Sequence, residues 1–259
     1  MNNKSSMRNA ALFTLLAIAY VARLEGGIST TQATATQVAQ TLVPSSSSLT
    51  LSSISSQGGS QQRGTFTALA TDQVGNGNMT NGVILSTGNI ASASSAQSTV
   101  ASTSTSSGSN SAFTALMNGQ TSGDVSYVEF TVYNPEYATR TIYLYFTFAS
   151  EEYPDYVNNL FNDAMGIWVN GVNQATLYGD PITIENVNDQ VNYLNWFNNY
   201  DSSLPRYRAA NFVYGGYTFT WYITIQVPYN TSKTIRVGVA DGNDTSLDSA
   251  VFLRTSISW

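Results

Sequence analysis

Apolar and polar residues alternate with period two along most of this chain. Thr141–Phe148 sets Ile142, Leu144, Phe146 and Phe148 on one face and Thr141, Tyr143, Tyr145 and Thr147 on the other. That is the pattern of a strand with one buried face. Val125–Tyr133 alternates in the same way, with Val128, Phe130 and Val132 against Tyr127, Glu129 and Thr131. Met165, Ile167 and Val169 form a third stripe, closed by Asn170-Gly171, the dipeptide of a type I′ hairpin turn, whose two central residues need positive φ. Tyr217–Val227 reads as the longest strand, with Tyr217, Phe219, Trp221, Ile223, Ile225 and Val227 on one face. Ile235, Val237 and Val239 follow after the Pro228-Tyr229-Asn230 turn, and Ser249–Ser258 reads as the last strand.

The N-terminal third is weaker in pattern. Ala35, Val38, Ala39 and Leu42 lie at helical spacing within Thr31–Val43, and Pro44 ends the helix. Leu49, Leu51 and Ile54 alternate with Ser and Thr as a polar strand, Gly58-Gly59 breaks it, and Gly64–Leu69 resumes. Asp72–Asn81 reads as loop and Gly82–Ser86 as a short apolar strand. Ala91–Asn110 is mostly Ser, Thr and Ala, which predicts a flexible surface loop or an O-glycosylated one. Ala112–Met117 suggests one helical turn, Ile182–Ile184 a short strand, and Asn186–Arg208 a long irregular excursion. Strands separated by turn signals, with no alternating helices, predict an all-β antiparallel sandwich or jelly roll with one short N-terminal helix.

Met1–Gly27 reads as a signal or leader segment: Lys4 and Arg8 precede the short apolar run Ala10–Ala22, with a candidate cleavage site at Ala17-Ile18-Ala19. The fold is then expected over residues 28–259 as one domain. No second apolar segment follows, so no membrane association is expected once the leader is removed, and no sorting tail is expected after Trp259.

Composition narrows the chemistry. Charged residues are 10% of the chain and aromatics 12%, against roughly 25% charged in ordinary soluble proteins. A weakly charged surface of Ser, Thr, Asn, Gln and Tyr suits an extracellular protein and offers little repulsion to self-association. The net charge of −6 argues against nucleic acid as a partner. The chain has no Cys and no His, which removes disulfides, thiol chemistry, a Ser-His-Asp triad and His-ligated metals.

Two acidic groups stand out against this background. Glu151, Glu152, Asp155 and Asp163 surround one connection, and Asp241, Asp244 and Asp248 another. Each group follows a strongly apolar strand, and if those strands pair or face each other the two can converge on one rim. Clustered carboxylates, with amide oxygens from Asn158, Asn162 and Asn243, are the hard oxygen donors calcium takes. The same residues also suit solvated turns. A glycosidase pair is a third reading, disfavoured because Glu151 and Glu152 on an extended chain point to opposite faces; no catalytic residue is assigned. Exposed tyrosines among the 16 in the chain can stack on glycans or form protein interfaces. Asn78, Asn230 and Asn243 each open an N-glycosylation acceptor triplet.

Phe148–Gly171 and Val239–Leu253 together resemble the choice-of-anchor L domain of secreted prokaryotic surface proteins. Thr31–Ser55 is similar to that domain's opening helix and strand, Asn81–Ala93 to its short apolar strand, and Ile182–Asn188 to a later strand. The resemblance runs over about Thr31–Trp259. The chain departs from it at Ala164–Trp168, where the family tends to be richer in aromatics. The resemblance implies an extracellular domain with adhesion or matrix roles, and the residues themselves give no ground to expect an enzyme. Two readings follow: a surface or matrix protein that binds other matrix or cell-surface components, with calcium-stabilised loops, or a filament subunit that polymerises with itself. In the second, Ile28–Gln62 would leave its own domain and add as a strand to a neighbour's sheet edge. A carbohydrate-active enzyme is the last alternative.

Overall fold

The computed structural model describes residues 27–70, 79–95 and 99–258. The leader expected over Met1–Gly27 therefore lies, apart from Gly27, outside the described residues, as do most of the Asp72–Asn81 loop and part of Ala91–Asn110.

Two antiparallel sheets face each other, as the alternation predicts. The larger has the order β1 (Ser29–Gln32), β3 (Arg63–Thr67), β4 (Asn81–Ser86), β15 (Ser249–Ser258), β6 (Arg140–Ser150), β12 (Gly216–Thr218) and β11 (Trp196–Asn198). A further strand, β13 (Trp221–Val227), also pairs with β6, in line with β12. The smaller sheet runs β2 (Thr50–Gln57), β5 (Ser122–Asn134), β14 (Thr231–Gly242), β7 (Ala164–Val169) and β8 (Val172–Asn173). β9 (Thr176–Leu177) and β10 (Asp180–Pro181) form a separate hairpin. The core lies between the sheets, where Ile142, Leu144, Phe146 and Phe148 of β6 share one cluster with Val128, Phe130 and Val132 of β5 and Ile235, Val237 and Val239 of β14. Asn170 and Gly171 take φ of 50° and 82° in the turn joining β7 to β8, as a type I′ turn requires.

The predicted helix is α1 (Ala35–Leu42), shorter than the periodic stretch. Ser29–Gln32 is drawn into β1, and Thr34 starts the helix with a capping box to Gln37. Val38, Ala39 and Leu42 are buried in the inter-sheet core. The segment Ile28–Gln62 is thus built into its own domain: β1 pairs with β3, α1 fills the core and β2 pairs with β5. The helical turn near Ala112 is present as α2 (Ser111–Thr114), which sets Phe113 edge-on to Trp168 on the outer face of the smaller sheet.

One expected strand is broken. Tyr217 pairs with Ala149, but Trp221 pairs with Phe146, so one extra residue is inserted between them. Thr218 donates from its side chain to the carbonyl of Phe219 and accepts from the Phe148 N–H, and the Thr220 and Thr147 hydroxyls meet at 2.8 Å. This bulge swaps the faces. Trp221, Ile223, Ile225 and Val227 face the core, whereas Tyr217 and Phe219 join a second cluster on the outer face. There Phe197, Phe212 and Tyr214 of the Asn186–Arg208 excursion and its continuation cover Phe252, Ala250 and Ala149. Ile182–Ile184 forms a single bridge to Ala164 rather than a strand.

Candidate functional site

The antiparallel ladders bring six strand ends to one rim of the sandwich. β4, β6 and β14 end there, at Ser86, Ser150 and Gly242, and β5, β7 and β15 begin there. The acidic residues sit on these ends and on the turns beside them. Asp163 precedes β7, Asp241 is the penultimate residue of β14, Asp248 precedes β15, and Glu151 and Glu152 follow β6. The two acidic groups of the sequence therefore converge.

Glu152, Asp163, Asp241 and Asp248 are buried, Glu151 and Asp244 partly so. Asp163 accepts from the Gly242 N–H at 3.0 Å and from the Ser249 hydroxyl at 2.6 Å. Burial and the neighbouring carboxylates still hold Asp163 and Asp241 above the ordinary range. Burial pushes Glu152 up to about 8, with repulsion from Asp163 and Asp244 adding to it. Burial also raises Glu151 to about 7 and Asp248 to about 6, against the hydrogen bonds that each accepts. Three of these side chains carry an oxygen without a hydrogen-bond partner: Glu152 Oε2, Asp241 Oδ1 and Asp248 Oδ2. Unpartnered buried oxygens are expensive, because nothing replaces the water they have lost. Asp155 is exposed on its loop and stays out of the buried group.

Asp124, near the start of β5, also belongs to this rim, although nothing in the sequence pattern singled it out. Its repulsion reaches Asp241, Asp244 and Asp248. The Ser/Thr-rich stretch expected to be a flexible loop is an ordered strap from residue 99 onward. Its alternate N–H groups donate to the rim: Ala101 to Glu151 Oε1 at 2.8 Å, Thr103 to Asp248 Oδ1 at 2.7 Å, and Thr105 and Ser107 to Asp124 at 2.7 and 3.2 Å. Buried Gln62 ties the two sheets together below the strap, donating to the carbonyls of Thr87 and Asp124.

The asparagines expected to supply amide oxygens are placed otherwise. Asn162 Oδ1 accepts from the Glu185 N–H and Asn243 Oδ1 from the Thr121 N–H, while Asn158 is exposed. Among the described residues, no three His, Cys, Asp or Glu side chains stand close enough to hold a metal ion as they are. The rim is a set of buried, mutually repelling carboxyls held above their ordinary range, with three oxygens left to be satisfied.

A second feature lies on the outer face of the larger sheet, beyond the covered half. Tyr222 is 51% exposed, and its ring centroid is 5.9 Å from that of Tyr143 and 5.4 Å from that of Tyr145. Thr224 lies beside Tyr143 on one neighbouring strand and Ser256 on the other. The result is an aromatic strip bordered by hydroxyls.

Among the described residues no helix is long and apolar enough to cross a membrane. No curated protein and no solved structure matches the chain. The family model of the choice-of-anchor L domain, a domain of surface proteins, matches residues 27–257. The blocks that form the acidic rim and its supporting strands fall inside that match, and the chain belongs to the choice-of-anchor L domain family.

Proposed function

We propose that this protein is an extracellular surface or matrix component that works by binding, with the tyrosine strip as its contact face and calcium as the ion that holds its acidic rim. The observation that carries the binding reading is the Tyr143–Tyr222–Tyr145 strip. Such rings offer flat apolar faces with polar edges, which suit the C–H face of a sugar ring or a protein surface. We take glycan polymers of the cell surface or matrix as the partner. Purified chain is to be titrated with cell-surface polysaccharide, alone and as Tyr222→Ala and Tyr143→Ala. Each substitution is expected to weaken binding about tenfold, the size of one lost aromatic contact of ~1.4 kcal/mol, while leaving the melting temperature in place. Equal binding by all three chains would remove the strip from the proposal.

The calcium reading is supported by the orphan oxygens of Glu152, Asp241 and Asp248 on a rim crowded with like charge. Calcium accepts irregular sets of six to eight oxygens, so small side-chain rotations can complete its shell from carboxylates and waters. Binding would displace the protons held there. A polymer built by donation of Ile28–Gln62 is not favoured, because those residues already fill their own core and sheets.

A further inference from the structure

We propose that Asn230 carries an N-linked glycan and that Asn243, the other acceptor triplet within the described residues, does not. Both asparagines are exposed and both take the left-handed conformation, with φ of 54° and 68°. Their amides differ. Asn243 is used at both ends, with Oδ1 accepting from the Thr121 N–H at 3.1 Å and Nδ2 donating to the Leu160 carbonyl at 2.8 Å. Its amide nitrogen is thus a strut between two loops beside the acidic rim.

Asn230 sits at the opposite end of the sandwich, in the turn from β13 to β14. Its backbone N–H donates to the Asn134 carbonyl, and Thr231 closes the turn by donating from its hydroxyl to the Pro228 carbonyl at 2.8 Å. The Tyr133 hydroxyl donates to Asn230 Oδ1 at 2.8 Å. That bond fixes the amide plane through its oxygen and leaves the Nδ2 edge for the acceptor chemistry. Ser232, whose hydroxyl completes the triplet, is exposed. Beside it, Tyr229 and Tyr137 stack with ring centroids 4.5 Å apart, and Tyr137 is 88% exposed. Stacked aromatic faces in solvent have apolar area to bury, and the first sugar on Asn230 would lie within reach of them.

The donor class is a polyprenyl-phosphate-linked oligosaccharide, used by a membrane-bound transferase on an exported chain. Asn230 Nδ2 attacks the anomeric carbon. The N–C bond forms, the C–O bond to phosphate breaks, the lipid phosphate leaves with the electron pair, and the amide gives up one proton.

The inference rests on the extracellular reading, because that transfer acts on exported chains. Its test is glycopeptide mass spectrometry of full-length protein recovered from its own cells, medium and cell surface separately. The expected result is added sugar mass on the peptide holding Asn230 and none on the peptide holding Asn243. Ser232→Ala should remove that mass with the asparagine intact, and Ser232→Thr should restore it, which covers the case in which Asn230→Gln misfolds. Exported protein with a bare Asn230, or with sugar on Asn243 instead, overturns the inference and leaves the extracellular reading standing. Bare protein retained inside the cell overturns both.

Discussion

The backbone N–H of Thr103 donates to Asp248 Oδ1 at 2.7 Å. It joins the middle of a Ser/Thr-rich strap to the turn before the last strand. Through this bond and its neighbours at Ala101, Thr105 and Ser107, the acidic rim orders a stretch that has few apolar side chains with which to order itself.

Asp124→Ala should release the strap locally. It removes the acceptor for both Thr105 and Ser107. A hydrogen bond contributes about 0.5–1.5 kcal/mol net, so the two together predict a loss of about 1–3 kcal/mol. Hydrogen exchange should accelerate at Thr105 and Ser107 while Val128–Val132 stays protected. Unchanged protection at the two strap amides would show that the carboxylate does not hold them.

In chelator, stability should fall as pH rises from about 5 to about 8. Glu151, Glu152 and Asp248 have ordinary values of 4.5, 4.5 and 3.8 and folded values of about 7, about 8 and about 6. A carboxyl raised in the folded state binds its proton more tightly there than in the unfolded chain. Its contribution is complete below the unfolded value and lost as pH climbs through the folded one. Thermal melts across that window should show the decline, and a melting temperature that rose toward pH 8 would contradict the buried, repelling rim.

Asp241→Asn should flatten the pH dependence in chelator and blunt the response to calcium. It removes a carboxyl that burial and Asp163 hold above the ordinary range, so in chelator the variant should lose less stability than the parent as pH rises. On the calcium proposal it also removes one oxygen donor, so added calcium should raise its melting temperature less. For the parent, calcium at about 100 times its dissociation constant would add about 2.7 kcal/mol. Parent melts that ignore calcium would end the calcium proposal while leaving the charge argument intact.

Leu42→Ala should cost about 3 kcal/mol, in the range for a buried leucine, because Leu42 lies in the inter-sheet core. Removal of residues 28–62 should abolish the cooperative melt altogether. A well-folded truncated chain would instead show that the segment is dispensable to its own domain, and would reopen strand donation.

Much of this was readable from period and turn chemistry. The stripes of β5, β6 and β14, the Asn170-Gly171 turn and the short helix follow from local rules, and the structure reproduces them. Convergence of the two acidic groups was readable only as a condition, that the strands before them pair or face each other, and β6 and β14 meet it by ending at the same rim of facing sheets. Three things were not. The bulge between Thr218 and Thr220 depends on side-chain bonds to β6, and a single inserted residue reverses the faces without altering the alternation. Membership of Asp124 in the rim depends on which strand neighbours β14, a pairing between residues far apart in sequence. The strap is ordered by carboxylates from distant turns, and composition carries no trace of them.

The strap's bonds use amide hydrogens at alternate positions and leave Ser102, Ser104 and Ser106 facing solvent. Its register is therefore written largely in the main chain, although Ala101 is buried and the Thr105 and Ser107 hydroxyls also donate, to the carbonyls of Thr87 and Val125. Proline at 101, 103, 105 or 107 would strike directly at the fastening, since proline has no N–H to give. A low-complexity stretch can thus be held in place by distant carboxylates, through amide hydrogens that every residue except proline carries.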